Sequence, residues 1–160
     1  MTIKDALNKA IDLLKKSNIE NAIQISKIVL ANFLKRNKEY ILMNENEILL
    51  DEVYNKYIEG IDKISNGIPM QYITNVQEFM GMDFFVDENV LIPQPDTEIL
   101  VEEVLSIIGK KENLCILDIC TGSGAIAVSI AKNTNNCIVY AVDISKNAIE
   151  EARKYIAESI

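Results

Sequence analysis

The chain has 160 residues, 49% of them hydrophobic, with a formal charge of −8 and no histidine, so it can bury one sizeable core, or a small domain plus part of another, and has no imidazole base or histidine-ligated metal. Residues 1–65 carry ten basic and ten acidic side chains while residues 66–160 carry six and fourteen, which argues against direct nucleic-acid binding by the acidic second part. No apolar run reaches the roughly 18 residues of a membrane span and no basic cleavable leader is visible, which points to a cytoplasmic protein with no membrane contact.

Thr2 followed by Asp5 is a helix-capping pair, and Ile3, Ala6, Leu7, Ala10, Ile11 and Leu14 recur at helical spacing up to Ser17 and Asn18. The stretch 22–34 is apolar nearly all round, which predicts a central helix packed on several sides. Residues 39–43 read as a short helix. Leu50, Val53, Tyr54, Tyr57, Ile61 and Ile64 mark a longer one, stopped by Asn66 and Gly67 with Pro69 just beyond. Residues 1–66 therefore read as a helical bundle, and nothing in it carries chemistry of its own.

From Pro69 the period changes, and residues 76–79 and 83–86 around Gly81 predict a β-hairpin within a linker spanning 67–92. Pro93 and Pro95 hold the chain extended, and Asp96 or Thr97 is placed to cap a helix that carries Ile99, Leu100, Val101, Val104, Leu105 and Ile108 to Gly109. On its own this proline segment is a rigid helix entry.

The stretch that organises the rest is 114–124, LCILDICTGSG. A strand interrupted by Asp118 gives way at Cys120 to a small-residue loop with Gly122 and Gly124, and residues 125–131 read as the next helix. Glycines at such a junction let backbone approach a ligand, and the helix's first turn offers N–H groups to negative charge. A second strand, 137–142, ends in Asp143, 19 residues beyond Gly124, close to where a nucleotide-binding half-fold places the carboxylate that takes the ribose hydroxyls. Ser145 then caps a last helix with Ala148, Ile149, Ala152 and Ile156 in its stripe.

Spacing alone leaves two ligands open, because Gly122 to Ala127 also fits the dinucleotide pattern in its Gly/Ala form. Asp118 favours the other: a carboxylate there repels pyrophosphate but suits a cationic amine and sulfonium such as those of S-adenosylmethionine. The lesser alternative for Asp118 is a structural role bonding the turn, and for Asp143 that of a strand-end or helix-start residue. Cys120 reads as a small loop residue with no base beside it. The three cysteines lack metal or disulfide spacing, so no metal is expected.

Five motifs carry a resemblance: IPMQYI (68–73), EFMGMDF (78–84), VLIPQPDTE (90–98), LDICTGSGAIA (117–127) and AVDIS (141–145). Together they resemble the HemK-type release-factor glutamine-N5 methyltransferases, from the helical bundle to the last residue. The resemblance implies α plus α/β architecture: a substrate-docking helical domain (1–66), a hairpin linker (67–92) and the first part of a class I, Rossmann-like methyltransferase domain (93–160). It implies S-adenosylmethionine as methyl donor and, as substrate, the glutamine amide of the Gly-Gly-Gln motif in peptide chain release factors. Residues 120–124 (Cys120, Thr121, Gly122, Ser123 and Gly124) would line the cofactor with Asp118, and Asp143 would hold its ribose.

Two residues depart from the family pattern: Gln94 stands in place of Arg and Cys120 in place of Gly, the latter tolerable only if φ there stays below zero. The glutamine-gripping Asn-Pro-Pro-Tyr motif is not reached before Ile160, so the chain reads as the N-terminal part of such an enzyme. Its catalytic groups are expected beyond Ile160, and it is expected to be inactive alone. The strand 114–119 would then keep an unpaired edge open to self-association. Competing readings are part of a nicotinamide-dependent oxidoreductase and a non-catalytic helical adaptor.

Overall fold

A computed structural model describes residues 1–135 and 137–159, the last five as helical backbone alone. The expected burial of Ile156 therefore lies outside the described residues. Contacts divide the chain into two units, Met1–Thr74 and Asn75–Ile160.

The first unit is helical: α1 (Ile3–Lys16), α2 (Ala22–Leu34), α3 (Lys38–Met43), α4 (Asp51–Ser65) and α5 (Met70–Thr74). The capping box forms as the sequence predicts, with the Asp5 N–H donating to Thr2 Oγ1 and the Thr2 N–H to Asp5 Oδ2, each at 3.2 Å. The Thr2 hydroxyl, which donates to Asp5 Oδ2 at 2.7 Å, and secondly the Thr2 N–H hold the Asp5 carboxyl below its ordinary pKa. Main-chain bonds from Ile3 to Glu47 and from Leu49 to Met1 tie the start of the chain to the loop before α4. α2 packs against α1, α3, α4 and α5, as its apolar circumference predicts. Ile3, Leu14, Leu30, Ile41 and Ile61 are buried together around it. Tyr57 is buried with its hydroxyl donating to the Ser26 carbonyl at 3.1 Å, and burial pushes its pKa far above the usual phenol value. The short α5, which the periodicity does not reveal, reaches α2 and α4 through a gap: a Cβ on Gly60 would stand 2.8 Å from Ile73 Cγ2 and 3.3 Å from the Phe33 ring.

The second unit opens with the hairpin β1 (Val76–Phe79) and β2 (Met82–Phe85), paired antiparallel from Val76↔Phe85 to Phe79↔Met82. Met80 and Gly81, at φ 52° and 69°, form the two-residue turn, which matches the mirror-image turn that the strand twist favours. The second strand starts one residue earlier than the sequence predicts because this turn is so short. Phe79 and Phe84 meet edge to face, with centroids 6.2 Å apart, in the same buried cluster as Val101, Ile108 and Val128.

α6 (Asp96–Ile108) corrects the expected cap. Neither Asp96 nor Thr97 caps it; Pro95 stands at the N-cap in helical conformation (φ −56°, ψ −35°), so the extended stretch stops short of it. The Thr97 and Glu98 N–H groups donate to the Gln94 and Pro95 carbonyls at 2.9 Å, doing what a side-chain cap would do. The Glu98 carboxylate instead accepts the Met80 N–H, fastening hairpin to helix.

β3 (Cys115–Ile119), α7 (Ala125–Lys132), β4 (Ile138–Val142) and α8 (Lys146–Ser159) complete the unit, β3 and β4 pairing in parallel from Cys115↔Ile138 to Ile119↔Val142. This is the strand, helix, strand order of a Rossmann-like parallel sheet, and it follows the helical bundle along the chain. Ile116 and Val139 join the buried cluster, whereas Leu117, Ile119, Ile138, Tyr140 and Val142 lie exposed. Among the described residues no helix is long and apolar enough to cross a membrane.

Candidate functional site

The turn between β3 and α7 is built by hydrogen bonds from both of its flanks. Asp118, buried near the end of β3, accepts the Thr121 hydroxyl at 2.6 Å. Thr121, also buried, donates its N–H to the Val142 carbonyl on β4 at 3.0 Å, and its carbonyl accepts the Gly124 N–H at 2.9 Å. One threonine thus fixes the loop to its own strand, to the neighbouring strand and to the start of the helix. The turn-bonding role open to Asp118 from sequence is the one its contact displays.

Asp143 closes the other side. Its Oδ2 accepts the Gly122 N–H and its Oδ1 the Ser145 N–H, both at 2.9 Å. These backbone bonds, to Ser145 first and Gly122 second, hold its carboxyl below the ordinary value, so Asp143 stays ionised through the neutral range. Asp143 to Ser145 is an Asx turn, and Ser145 Oγ in turn accepts the Ala148 N–H at 3.2 Å, capping α8 as expected. Sequence reasoning places Asp143 at the strand end but misses its bond to Gly122. The Asp-x-Ser spacing is a signal for the Ser145 bond; the bond across 21 residues has none.

The glycines divide the work. A Cβ on Gly122 (φ 56°) would meet no heavy atom within 4 Å, so its outer face is open to an approaching molecule. Gly124 (φ 82°) is buried, and a Cβ there would come within 3.1 Å of Ala152 Cβ, so it serves helix packing. Cys120 overturns the condition set on it: its φ is 64°, in the left-handed region where glycine is unstrained and a cysteine is not. The tight turn from β3 requires that conformation whichever residue stands there. Ser123 is buried within the loop and Cys120 is exposed.

Loop, Asp118 and Asp143 are therefore gathered at one end of the β3 and β4 pair. The first turn of α7 has no side-chain cap and no acidic residue, so the positive end of the helix at the loop is not neutralised from within its own first turn. An open glycine face, a helix N-terminus and an ionised carboxylate at the end of the second strand together suit a ligand that presents backbone-accessible polar atoms and hydroxyl donors.

Two family models match the chain. Residues 5–74 match the PrmC N-terminal domain and residues 116–160 a methyltransferase domain. Among curated proteins, the release factor glutamine methyltransferase of Clostridium acetobutylicum is 42% identical over 153 residues, covering 96% of this chain and 54% of that protein. Those of Clostridium botulinum and Bacillus cereus are 39% and 40% identical, covering 90% and 96% of the chain and 51% and 55% of the relatives. Over most of its length the chain matches the release factor glutamine methyltransferases. It spans about half the length of the curated relatives it matches. The matched segments take in the helical bundle with the motif at 68–73 and the glycine loop with the motif at 141–145, and the motifs at 78–84 and 90–98 lie between them.

Proposed function

We propose that this chain supplies the S-adenosylmethionine-binding loop and the N-terminal helical domain of an enzyme that methylates the glutamine amide of the Gly-Gly-Gln motif in peptide chain release factors. The observation that carries the reading is the 42% identity to a release factor glutamine methyltransferase over 96% of the chain. The open face of Gly122 and the ionised Asp143 support it locally. In this reading Asp143 accepts the cofactor's ribose hydroxyls on the lone pairs that Gly122 and Ser145 leave. Cys120, Thr121, Gly122, Ser123 and Gly124 form the wall behind the cofactor, and Asp118 offers negative charge toward its cationic end. Bound S-adenosylmethionine brings an already activated methyl group, so the protein's share is to orient donor and amide and exclude water.

Residues 1–66 are proposed to dock the release factor, 67–92 to link, and 93–160 to bind the cofactor, in the cytoplasm where translation ends. The edge of β3 away from β4, unpaired among the described residues, is proposed as a route to self-association, read by light scattering over a concentration series.

The test is a chimera in which this chain replaces the matching 54% of the Clostridium acetobutylicum relative. With radiolabelled S-adenosylmethionine it should label a release factor at the motif glutamine and not a Gln→Ala variant of that factor. A folded chimera that binds the cofactor and labels neither refutes the proposed substrate.

A further inference from the structure

The helical unit carries a cavity lined by none of the residues of the proposed cofactor site. It measures about 520 Å³ and forms where the last turn of α1, the start of α2 and the start of α3 meet, within the size range of small-molecule sites. Lys15, Lys27 and Lys38 line it, and no carboxylate does. Among the described residues none of the three is in an ion pair, whereas Lys56 and Lys63 on α4 are paired with Glu52 at 2.6 Å and Glu59 at 2.8 Å. Residues 1–65 balance ten basic against ten acidic side chains, so three cations without an ion-pair partner around one concavity are a local focus of positive charge.

The rest of the lining agrees with that sign. Asn21, at the N-cap of α2, makes no side-chain cap bond, and the helix has no acidic residue in its first turn. The positive end of this helix of 13 residues adds to the field the lysines set. Ile19 and the half-exposed Ile23 supply an apolar wall beside the cations. Lysine ammonium groups are compact, strongly hydrated point charges and bind phosphate as such.

We infer that this cavity binds a phosphate-bearing small molecule, the phosphate held by Lys15, Lys27 and Lys38 and an apolar moiety laid on Ile19 and Ile23. The test is an amide-resolved NMR titration of the full chain with pyrophosphate and, separately, with ADP. Both should shift the amides of Ala22, Ile23 and Gln24 saturably, ADP at several-fold lower concentration because its ring covers the apolar wall. Reading these amides separates the cavity from the glycine loop. Replacing all three lysines by Gln should weaken binding about tenfold or more. Lys27→Arg should retain it, and the Lys56→Gln, Lys63→Gln double variant should leave it unchanged. Should the triple variant not fold, the single Lys→Gln variants carry the comparison. Shifts that fail to saturate, or binding weakened equally in the double variant on α4, overturn the inference.

Discussion

Cys120 holds a backbone conformation that a glycine would adopt without strain. A non-glycine residue in the left-handed region costs about 1 to 2 kcal/mol, partly offset by the larger unfolded-state entropy of glycine. Cys120→Gly should therefore raise the melting temperature of the second unit by a few degrees; an unchanged or lower value would mean the loop has relaxed around the cysteine. The sequence shows that a small residue is needed there but not the sign of φ, which depends on the turn that β3 must make. Asp143 is legible in sequence from its distance to Gly124, whereas its bond to Gly122 exists only once β3 and β4 lie side by side. Asp143→Ala removes that bond together with the proposed ribose contact. Charge-assisted hydrogen bonds are worth about 1.5 to 3 kcal/mol, so cofactor affinity should fall roughly ten- to a hundredfold by calorimetry. Unaltered affinity would sink the ribose assignment.

Capping and close packing decide the elements. The α1 cap is written in sequence as Thr2 and Asp5, and the lowered Asp5 pKa gives it a pH dependence. A group whose pKa is depressed on folding stabilises above its unfolded value and loses that contribution as pH falls through the folded one. The stability difference between wild type and Asp5→Asn should thus be full above about pH 4 to 5 and shrink on acidification, as tracked by thermal melts. A difference independent of pH would show that the charge of Asp5 plays no part.

The cap of α6 departs from the sequence pattern because Gln94 and Pro95 carbonyls take the N–H groups that a side chain would otherwise serve, a choice set by Pro95 being helical. The five-residue α5 is too short for a period to show. Its seat depends on Gly60, whose role sequence cannot reveal because the crowding comes from Ile73 and Phe33. Gly60→Leu should destabilise the helical unit by about 1 to 3 kcal/mol through overpacking, outweighing the helix propensity gained. A higher denaturation midpoint would show that α5 moves aside at little cost.

At the scale of the molecule, the division into a helical unit and a strand-helix-strand unit is legible because hydrophobic spacing changes from helical to alternating after Pro69. The hairpin is legible from Gly81, and its membership of the second unit's core from nothing local, since Phe79 and Phe84 meet Val101 and Val128 only in three dimensions. The β3 and β4 pair leaves Leu117, Ile119, Tyr140 and Val142 exposed, although strands of parallel sheets are ordinarily covered on both faces.

The loop from Cys120 to Gly124, with Asp143, is proposed to receive S-adenosylmethionine. The most direct test is an amide-resolved NMR titration of this chain with S-adenosylmethionine and, in parallel, with NAD. S-adenosylmethionine should shift the amides of Thr121, Gly122, Gly124 and Ser145 saturably, and NAD should not. Movement of these amides by NAD, with none by S-adenosylmethionine at the same concentrations, would contradict the proposal.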